Sequence, residues 1–204
     1  KNSNYKLKPD SSFEYEGKNF KIKTKLIGDH FISNITGAIA LGNLNGLSIE
    51  QSLNAIEYFA GVKRRTEFIG DFDGVHFYDD YGHHPTEIKA TTKALKSNTK
   101  GKLIVVFQPH RYTRTRDNFD ELSKSFEYSD KTLITDIYSA GEKPIPGVSS
   151  LMFESEKIKY IKSPRMVLPY LKNRISPGDT VLTIGAGDIT LLGPQILKYL
   201  NENK

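Results

Sequence analysis

The sequence predicts an α/β fold whose second part is a doubly wound domain with a mostly parallel sheet. Two observations predict this. Apolar stretches recur at residues 75–78, 103–107, 132–137 and 180–184, and helical patterns begin near residues 85, 115 and 191. Apolar strands that alternate with helices are typical of a parallel sheet covered by helices on both faces.

The first part of the chain has a different pattern. Residues 1–27 alternate between apolar and polar side chains around a polar segment at 17–19, which predicts a β-hairpin. Helical spacing follows over residues 30–45, and Ser48 is a suitable N-cap for a second helix that runs to Phe59. We therefore predict one region over residues 1–65 and a second over 66–204.

Composition limits the class of protein. The chain has 204 residues, of which 37% are hydrophobic and 26% charged, as in an ordinary globular protein. The absence of cysteine excludes disulfides and thiolate metal sites and fits a cytoplasmic location. No apolar run approaches the roughly 20 residues that span a bilayer, so we expect no membrane segment and no secretory signal.

The net charge of +5 admits an anionic partner. The lysines are scattered, however, and do not form the run of basic and aromatic residues that a nucleic-acid surface tends to show. We therefore expect no nucleic-acid partner.

In parallel sheets, ligands bind beyond the carboxyl ends of the strands. The first such loop, residues 78–87, places two aspartates and two histidines between a strand and a helix that begins at Pro85. Asp80 is a candidate to accept hydrogen bonds from a ribose, and His83 and His84 are candidates to orient a carboxylate or join a metal site. The alternative is that these residues only cap the helix and turn the chain.

The second loop, residues 107–116, carries one histidine and three arginines. Arg111 and Arg114 are three residues apart and, on a helical turn, would clamp a carboxylate or phosphate. The alternative is a solvated face paired with Asp117 and Asp120. The third loop, 136–144, has no role that its residues reveal, and Gly-Ala-Gly at 185–187 is a weak phosphate-binding signal.

Residues 79–87 and 107–114 closely resemble two motifs of the Mur ligases, in particular the members that add L-alanine. Segments 61–67, 138–142 and 185–189 match in the same order, so the likeness extends over nearly the whole chain from Gly28. The resemblance implies that residues 1–65 are the tail of a central ATP-binding domain and residues 66–204 a Rossmann-like C-terminal domain. The phosphate loop G-x-x-x-x-G-K-[ST] has no counterpart in this sequence. We expect the chain to be a fragment that has no ligase activity alone.

The implied reaction belongs to cell-wall synthesis. ATP and Mg²⁺ activate the carboxylate of UDP-N-acetylmuramate as an acyl phosphate, which the amine of L-alanine attacks. The other partners are the preceding domains of the same enzyme, which hold the Mg²⁺ ligands. The resemblance assigns no metal ligand and no certain catalytic residue to this chain. It implies ATP contacts by Arg65, Asp80, Asn34 and His30, and substrate contacts by Tyr81, His83, His84, His110, Arg111 and Arg114.

One departure concerns the adenine contact. The family usually has His-Asn a few residues before Asn34, whereas this chain has His30 and Phe31, and Asp29 stands where the alanine-adding members usually carry arginine.

Three alternatives remain open at the level of sequence. A related ligase attaches a recycled tripeptide to the same UDP-sugar, although it tends toward Phe-Ala where this chain has Tyr81-Gly82. A metal-dependent phosphoesterase would use Asp79, Asp80, His83 and His84, completed by Asp136 and His110. A non-catalytic nucleotide-binding module would bind nucleotide without turnover.

Overall fold

The computed structural model describes residues 4–202, which lie in two compact units, Lys1–Val62 and Lys63–Lys204. Residues 1–3 and 203–204, at the ends of the two predicted regions, lie outside the described residues. The assignment of residues 1–65 to the tail of an ATP-binding domain stays a prediction. No helix in the described range is long and apolar enough to cross a membrane.

The first unit begins with a three-stranded antiparallel sheet of β1 (Tyr5–Lys8), β2 (Ser12–Tyr15) and β3 (Lys18–Lys21). β2 and β3 form the predicted hairpin. Its turn lies at Glu16 and Gly17, whose φ angles are 48° and 74°. Two consecutive left-handed residues match the twist of a hairpin, which explains why the turn precedes the predicted position at 17–19.

Two helices complete this unit, α1 (Asp29–Leu44) and α2 (Ile49–Tyr58), as the sequence predicted. Ser48 caps α2, because its hydroxyl accepts from the Gln51 N–H at 3.1 Å while the Gln51 side chain accepts from the Ser48 N–H at 2.8 Å. The helices and the sheet share a small apolar core of Phe13, Ile22, Ile35, Ile39 and Ile49.

The second unit contains a six-stranded sheet. Its strands are β4 (Glu67–Phe72), β5 (Val75–Asp80), β6 (Leu103–Phe107), β7 (Lys131–Ile134), β8 (Ile158–Tyr160) and β9 (Thr180–Ile184). Their order across the sheet is β4-β5-β9-β6-β7-β8. Only β4 is antiparallel to its neighbour, so the predicted mostly parallel sheet is confirmed. The sequence did not predict the two edge strands, β4 and β8.

Helices flank the sheet. They are α3 (Pro85–Lys96), α4 (Tyr112–Asp117), α5 (Phe119–Lys124), α6 (Pro164–Lys172) and α7 (Leu192–Glu202), with short 3₁₀ turns at Ser150–Phe153 and Asp188–Leu191. The helix predicted from residue 115 begins earlier, at Tyr112, and is interrupted at Asn118. The strand predicted over 132–137 ends at Ile134.

The core of this unit lies at the middle of the sheet. Every residue of β6 and β9 is buried, because both strands have neighbours on each side and helices on each face. Apolar side chains of α7, such as Ile196 and Leu200, pack on one face. β9, last in sequence, lies between β5 and β6, which brings the ends of these three strands together.

Candidate functional site

The loops after β5, β6, β7 and β9 meet at one edge of the sheet. The Gly185 N–H donates to the Asp80 carbonyl at 3.0 Å, and the Gln108 N–H donates to the Ile184 carbonyl at 3.2 Å. The loop after β7 joins them, since the Arg111 N–H donates to the Tyr138 carbonyl at 2.8 Å. The four loops that the sequence selected therefore form one surface.

Six side chains form a continuous row on this surface: Arg65, Tyr81, His83, His110, Arg114 and Tyr138. We call them the aromatic-basic cluster. The guanidinium carbon of Arg65 lies 5.7 Å from the Tyr81 ring centroid, and the Tyr81 and His83 rings are 5.2 Å apart. The ring of His83 lies 5.8 Å from that of His110. Five of the six were predicted as binding residues, and Tyr138 was not.

His110 is at the centre of the cluster. Its ring stacks on Tyr138 with centroids 5.6 Å apart and an interplanar angle of 15°, and its Nδ1 lies 3.4 Å from NH1 of Arg114. Burial lowers the pKa of His110 below its usual 6.5, and the positive charges of Arg114, His83 and Arg111 lower it further. His110 is therefore mainly neutral at neutral pH.

Two arginines at this edge keep their charge available. Among residues 4–202, the arginines that form ion pairs are Arg64, Arg65 and Arg116, so neither Arg111 nor Arg114 has a carboxylate oxygen within 4.0 Å. Glu142 is the acid that Arg111 influences, since the charge of Arg111 helps to lower the pKa of Glu142. Asp117, one of the acids considered as their partner, pairs with Arg116 at 2.7 Å. The pair is thus suited to an anionic ligand, because an arginine stays charged and donates several hydrogen bonds.

Arg111 and Arg114 occupy different positions relative to α4. Arg111 is the residue before α4, has a left-handed φ of 71° and an exposed side chain, and its carbonyl accepts from the Thr115 hydroxyl at 2.7 Å. Arg114 lies within α4, and its carbonyl accepts from the Asn118 side chain at 3.0 Å. The predicted shared helical turn is therefore only half correct, since Arg111 precedes the helix.

Asp79 and Asp80 are the last residues of β5 and do not lie in the loop, which corrects the predicted strand end at Tyr78. Asp79 accepts from the hydroxyls of Thr183 at 2.7 Å and Thr190 at 2.6 Å. Burial raises the pKa of both aspartates. Asp79 thus connects the end of β5 to β9 and to the 3₁₀ turn that follows β9.

Asp80 holds the segment that carries Arg65. One carboxylate oxygen accepts from the Gly82 N–H at 2.7 Å, and the other accepts from the Thr66 N–H at 2.7 Å. Arg64 and Thr66 have left-handed φ angles of 58° and 46°. Such angles are uncommon for residues with a side chain, so the contact with Asp80 stabilises an unusual backbone on both sides of Arg65.

Arg64 connects the loops after β5 and β9, which sequence reasoning did not predict although the residue lies in a quoted motif. Its NH2 donates to the carbonyls of Gly185 at 2.8 Å and Gly187 at 3.2 Å. Its guanidinium carbon lies 4.8 Å from the Tyr81 ring centroid, and its Nε lies 3.7 Å from Asp79. Arg64 therefore acts inside the site as a support.

The Gly-Ala-Gly segment is closely packed by Gln108, another residue that the sequence did not single out. The Gln108 side chain donates to Asp188 at 2.8 Å and accepts from the Ile189 N–H at 3.2 Å. A Cβ at Gly187 would meet the Tyr138 ring carbon Cγ at 2.7 Å. Close packing thus explains why residue 187 is a glycine. The Ile189 N–H, in the turn that follows, already has a hydrogen-bond acceptor.

His84 and Glu87 form the start of α3. His84 is the N-cap, and its ring accepts from the Thr86 N–H at 3.4 Å. Glu87 accepts from the His83 N–H at 3.1 Å and the His84 N–H at 3.2 Å, and it pairs with Arg65 at 3.8 Å. Burial raises the pKa of Glu87, but these hydrogen bonds and the charges of His83 and Arg65 outweigh it and leave the pKa below 4.5. Pro85 is the first helical residue, as predicted.

The ligands of the phosphoesterase alternative do not come together as a set, although the rings of His83 and His110 lie 5.8 Å apart. Among residues 4–202, no group of three His, Asp or Glu side chains is arranged to hold a metal ion. Asp136 accepts a hydrogen bond from the Tyr160 hydroxyl at 2.5 Å, which raises the pKa of Tyr160 to about 12. This alternative therefore has no support in the structure.

The predicted ATP residues His30 and Asn34 lie on α1 of the first unit. The His30 ring lies 4.3 Å from that of Phe31, and the Asn34 side chain is exposed. Their role in adenine binding stays a prediction.

Comparison with known proteins identifies the family. The family profile described as "Mur ligase, glutamate ligase domain" matches residues 64–187, which include the whole aromatic-basic cluster. This chain belongs to the Mur ligase family. The sequence resemblance is thereby confirmed.

Curated members of the Mur ligase family include proteins similar to this chain. A UDP-N-acetylmuramate–L-alanine ligase of Pelotomaculum thermopropionicum is 42% identical over 184 residues, which are 87% of this chain and 40% of that protein. A ligase of the same name from Mesorhizobium japonicum is 43% identical over 176 residues, or 83% of this chain and 38% of that protein. The chain thus spans about two fifths of the length of these relatives.

Solved Mur ligases share the fold. The crystal structure of a UDP-N-acetylmuramate-alanine ligase from Thermotoga maritima is 25% identical, with a TM-score of 0.74 over 96% of this chain and 44% of that one. A murein peptide ligase from Psychrobacter arcticus is 22% identical, with a TM-score of 0.65 over 96% of this chain and 43% of that one. These likenesses agree with the predicted α/β fold of the C-terminal domain.

Proposed function

We propose that this chain forms the amino-acid-binding side of an ATP-dependent ligase that joins L-alanine to the carboxylate of UDP-N-acetylmuramate in peptidoglycan synthesis. The observation that carries the proposal is the edge where four loops meet, because the aromatic-basic cluster lies there together with Arg111, and neither Arg111 nor Arg114 forms an ion pair among the described residues. The names of relatives about 40% identical to the chain supply the reaction. The predicted cytoplasmic location belongs to the same proposal.

The chemistry of the reaction suits this surface. ATP phosphorylates the sugar carboxylate, which gives an acyl phosphate and ADP, and the L-alanine amine then attacks the acyl carbon and releases phosphate. Both the acyl phosphate and the alanine carboxylate are anions. Arg111 and Arg114 hold such groups while the amine remains free to attack, with Tyr81, His83, His84 and His110 as the surrounding wall. Most of the rate enhancement then comes from positioning and charge stabilisation.

The nucleotide contacts are proposed on the residues named above. The Arg65 side chain is 46% exposed and paired only at 3.8 Å, so its guanidinium is able to turn toward an ATP phosphate. Thr66 occupies both acceptor sites of one Asp80 oxygen, so a ribose hydroxyl would use the remaining site of the oxygen that accepts from Gly82. Asn34 and His30 remain the proposed adenine contacts.

Magnesium is proposed to bind outside this chain. The described residues contain no suitable group of three His, Asp or Glu side chains, and the sequence has no G-x-x-x-x-G-K-[ST] phosphate loop. We therefore expect no ligase activity from the chain alone. Acyl-phosphate formation by the isolated chain, with ATP and UDP-N-acetylmuramate, would contradict this.

A chimera tests the proposal. The matching segment of the Pelotomaculum thermopropionicum relative is replaced by this chain, and phosphate release is followed with ATP, Mg²⁺ and UDP-N-acetylmuramate. Release that depends on L-alanine supports the proposal. Release only with the recycled tripeptide would assign the chain to the related recycling ligase instead. A folded chimera that binds ATP but responds to neither amine would refute both assignments.

A further inference from the structure

We propose that Arg114 is a positioning residue that fixes His110 in the neutral tautomer with its proton on Nε2, so that His110 serves the aromatic-basic cluster as a hydrogen-bond donor and not as a proton acceptor.

The contact between the two side chains determines where the proton lies. NH1 of Arg114 is 3.4 Å from Nδ1 of His110. A guanidinium has five N–H donors, no acceptor, and a charge that it does not lose in proteins. Arg114 must therefore be the donor, and Nδ1 must offer its lone pair. In a neutral imidazole the remaining proton then sits on Nε2.

Both partners are held by their backbones. The Arg111 N–H donates to the Tyr138 carbonyl at 2.8 Å, and the Tyr138 N–H donates to the Pro109 carbonyl at 2.8 Å, so hydrogen bonds fix the chain on either side of His110. The ring also stacks on Tyr138. On the other side, the Asn118 N–H and side chain both donate to the Arg114 carbonyl at 3.0 Å. Hydrogen bonds thus fix the backbones from which the two side chains meet.

The charges around His110 favour the neutral ring. Burial and the positive charges of Arg114, His83 and Arg111 lower the pKa of His110, whereas Glu142 acts in the opposite direction. Glu142 is itself engaged by Thr113, whose hydroxyl donates to it at 2.6 Å. A ring that is neutral at neutral pH has one lone pair, and here that lone pair faces Arg114.

The consequence for the reaction rests on the proposed function, whereas the tautomer does not. A proton from the incoming amine cannot move to Nδ1 while the guanidinium occupies it. The Nε2–H instead suits an anionic oxygen, such as that of the alanine carboxylate or the acyl phosphate, beside the charges of Arg111 and Arg114.

Nuclear magnetic resonance tests the tautomer on the chain itself. Long-range ¹H–¹⁵N correlation spectra of the ¹⁵N-labelled chain distinguish the two neutral tautomers of each of its five histidines. His110→Gln assigns the signal by its loss. We expect His110 to carry its proton on Nε2. A proton on Nδ1 in the unmodified chain would overturn the proposal, whatever happens to any variant.

Two variants test the role of Arg114. Arg114→Met removes the donor, and we expect a measurable fraction of the Nδ1–H form and a rise in the pKa of His110. Arg116→Met is the matched control, because it removes a charge from the same helix at a side chain that pairs with Asp117. Identical His110 signals and titration in Arg114→Met and the unmodified chain would refute the positioning role.

The chimera tests whether His110 acts in the reaction as a hydrogen-bond donor or as a proton acceptor. Glutamine places an N–H donor near the position of Nε2, so His110→Gln should keep a kcat about tenfold above that of His110→Ala. Equal losses in both variants, with an Nε2–H tautomer in the spectra, would overturn the donor role. A chimera inactive with L-alanine would refute the proposed function but leave the tautomer result standing.

Discussion

Replacing Asp80 by alanine is expected to destabilise the second unit by about 2–4 kcal/mol. The buried Gly82 N–H loses its acceptor, which costs about 1–3 kcal/mol for an unsatisfied buried donor. The Thr66 N–H and hydroxyl lose theirs, for about 0.5–1.5 kcal/mol each, since Thr66 is only partly buried. Removal of a buried charge offsets part of this cost, because burial raises the pKa of Asp80.

Native-state hydrogen exchange measures this effect in the unit where it arises. The slowest amides of β6 and β9 report the free energy of unfolding of the second unit. Thr66→Val is the control, because it removes only the hydroxyl contact at 3.2 Å and should cost about 1 kcal/mol. A change for Asp80→Ala no larger than that for Thr66→Val would refute the view that Asp80 holds the segment around Arg65.

Three further predictions follow from individual contacts. Burial raises the pKa of Asp79 above its unfolded value of 3.8, so the folded state binds the proton more tightly than the unfolded state does. The stability of the unmodified chain relative to Asp79→Asn should therefore fall as the pH rises above 3.8. Urea unfolding over a pH series checks this, and a pH-independent difference would contradict it. Gly187→Ala should cost about 1–3 kcal/mol in thermal or urea unfolding, because its Cβ would collide with Gln108 and Tyr138; unchanged stability would contradict the packing argument. Ser48→Ala should cost about 1 kcal/mol in hydrogen exchange of the α2 amides, through loss of the cap, and unchanged exchange would show that the cap does not stabilise the helix.

The sequence predicted the centre of the fold better than its edges. Strands β6 and β9 are continuous apolar runs, because they are buried on both faces, and such runs are easily recognised. β4 and β8 are edge strands with exposed positions, and β8 has only three residues, so neither has a clear pattern. The break at Asn118, whose side chain donates to the Arg114 carbonyl, was not predicted either.

The sequence predicted the residues that face a ligand, but not the residues that hold the loops in place. Strand ends with histidines and arginines identified the loops, because ligands bind beyond the carboxyl ends of parallel strands. Arg64 contacts Gly185, and Gln108 packs against Gly187, so both roles depend on residues more than 70 positions away in the sequence. No local spacing reveals such contacts. The burial of Asp80 was missed for a related reason, since the strand runs two residues beyond its apolar pattern.

The most direct test of the central claim is the L-alanine dependence of phosphate release by the chimera with Arg111→Ala. Arg111 is exposed and forms no ion pair within 4.0 Å among the described residues, so its loss should spare folding. The L-alanine concentration for half-saturation should rise about tenfold or more, while that for ATP should stay close to the value of the Arg116→Ala control. An unchanged L-alanine dependence would contradict the claim that Arg111 binds the amino acid.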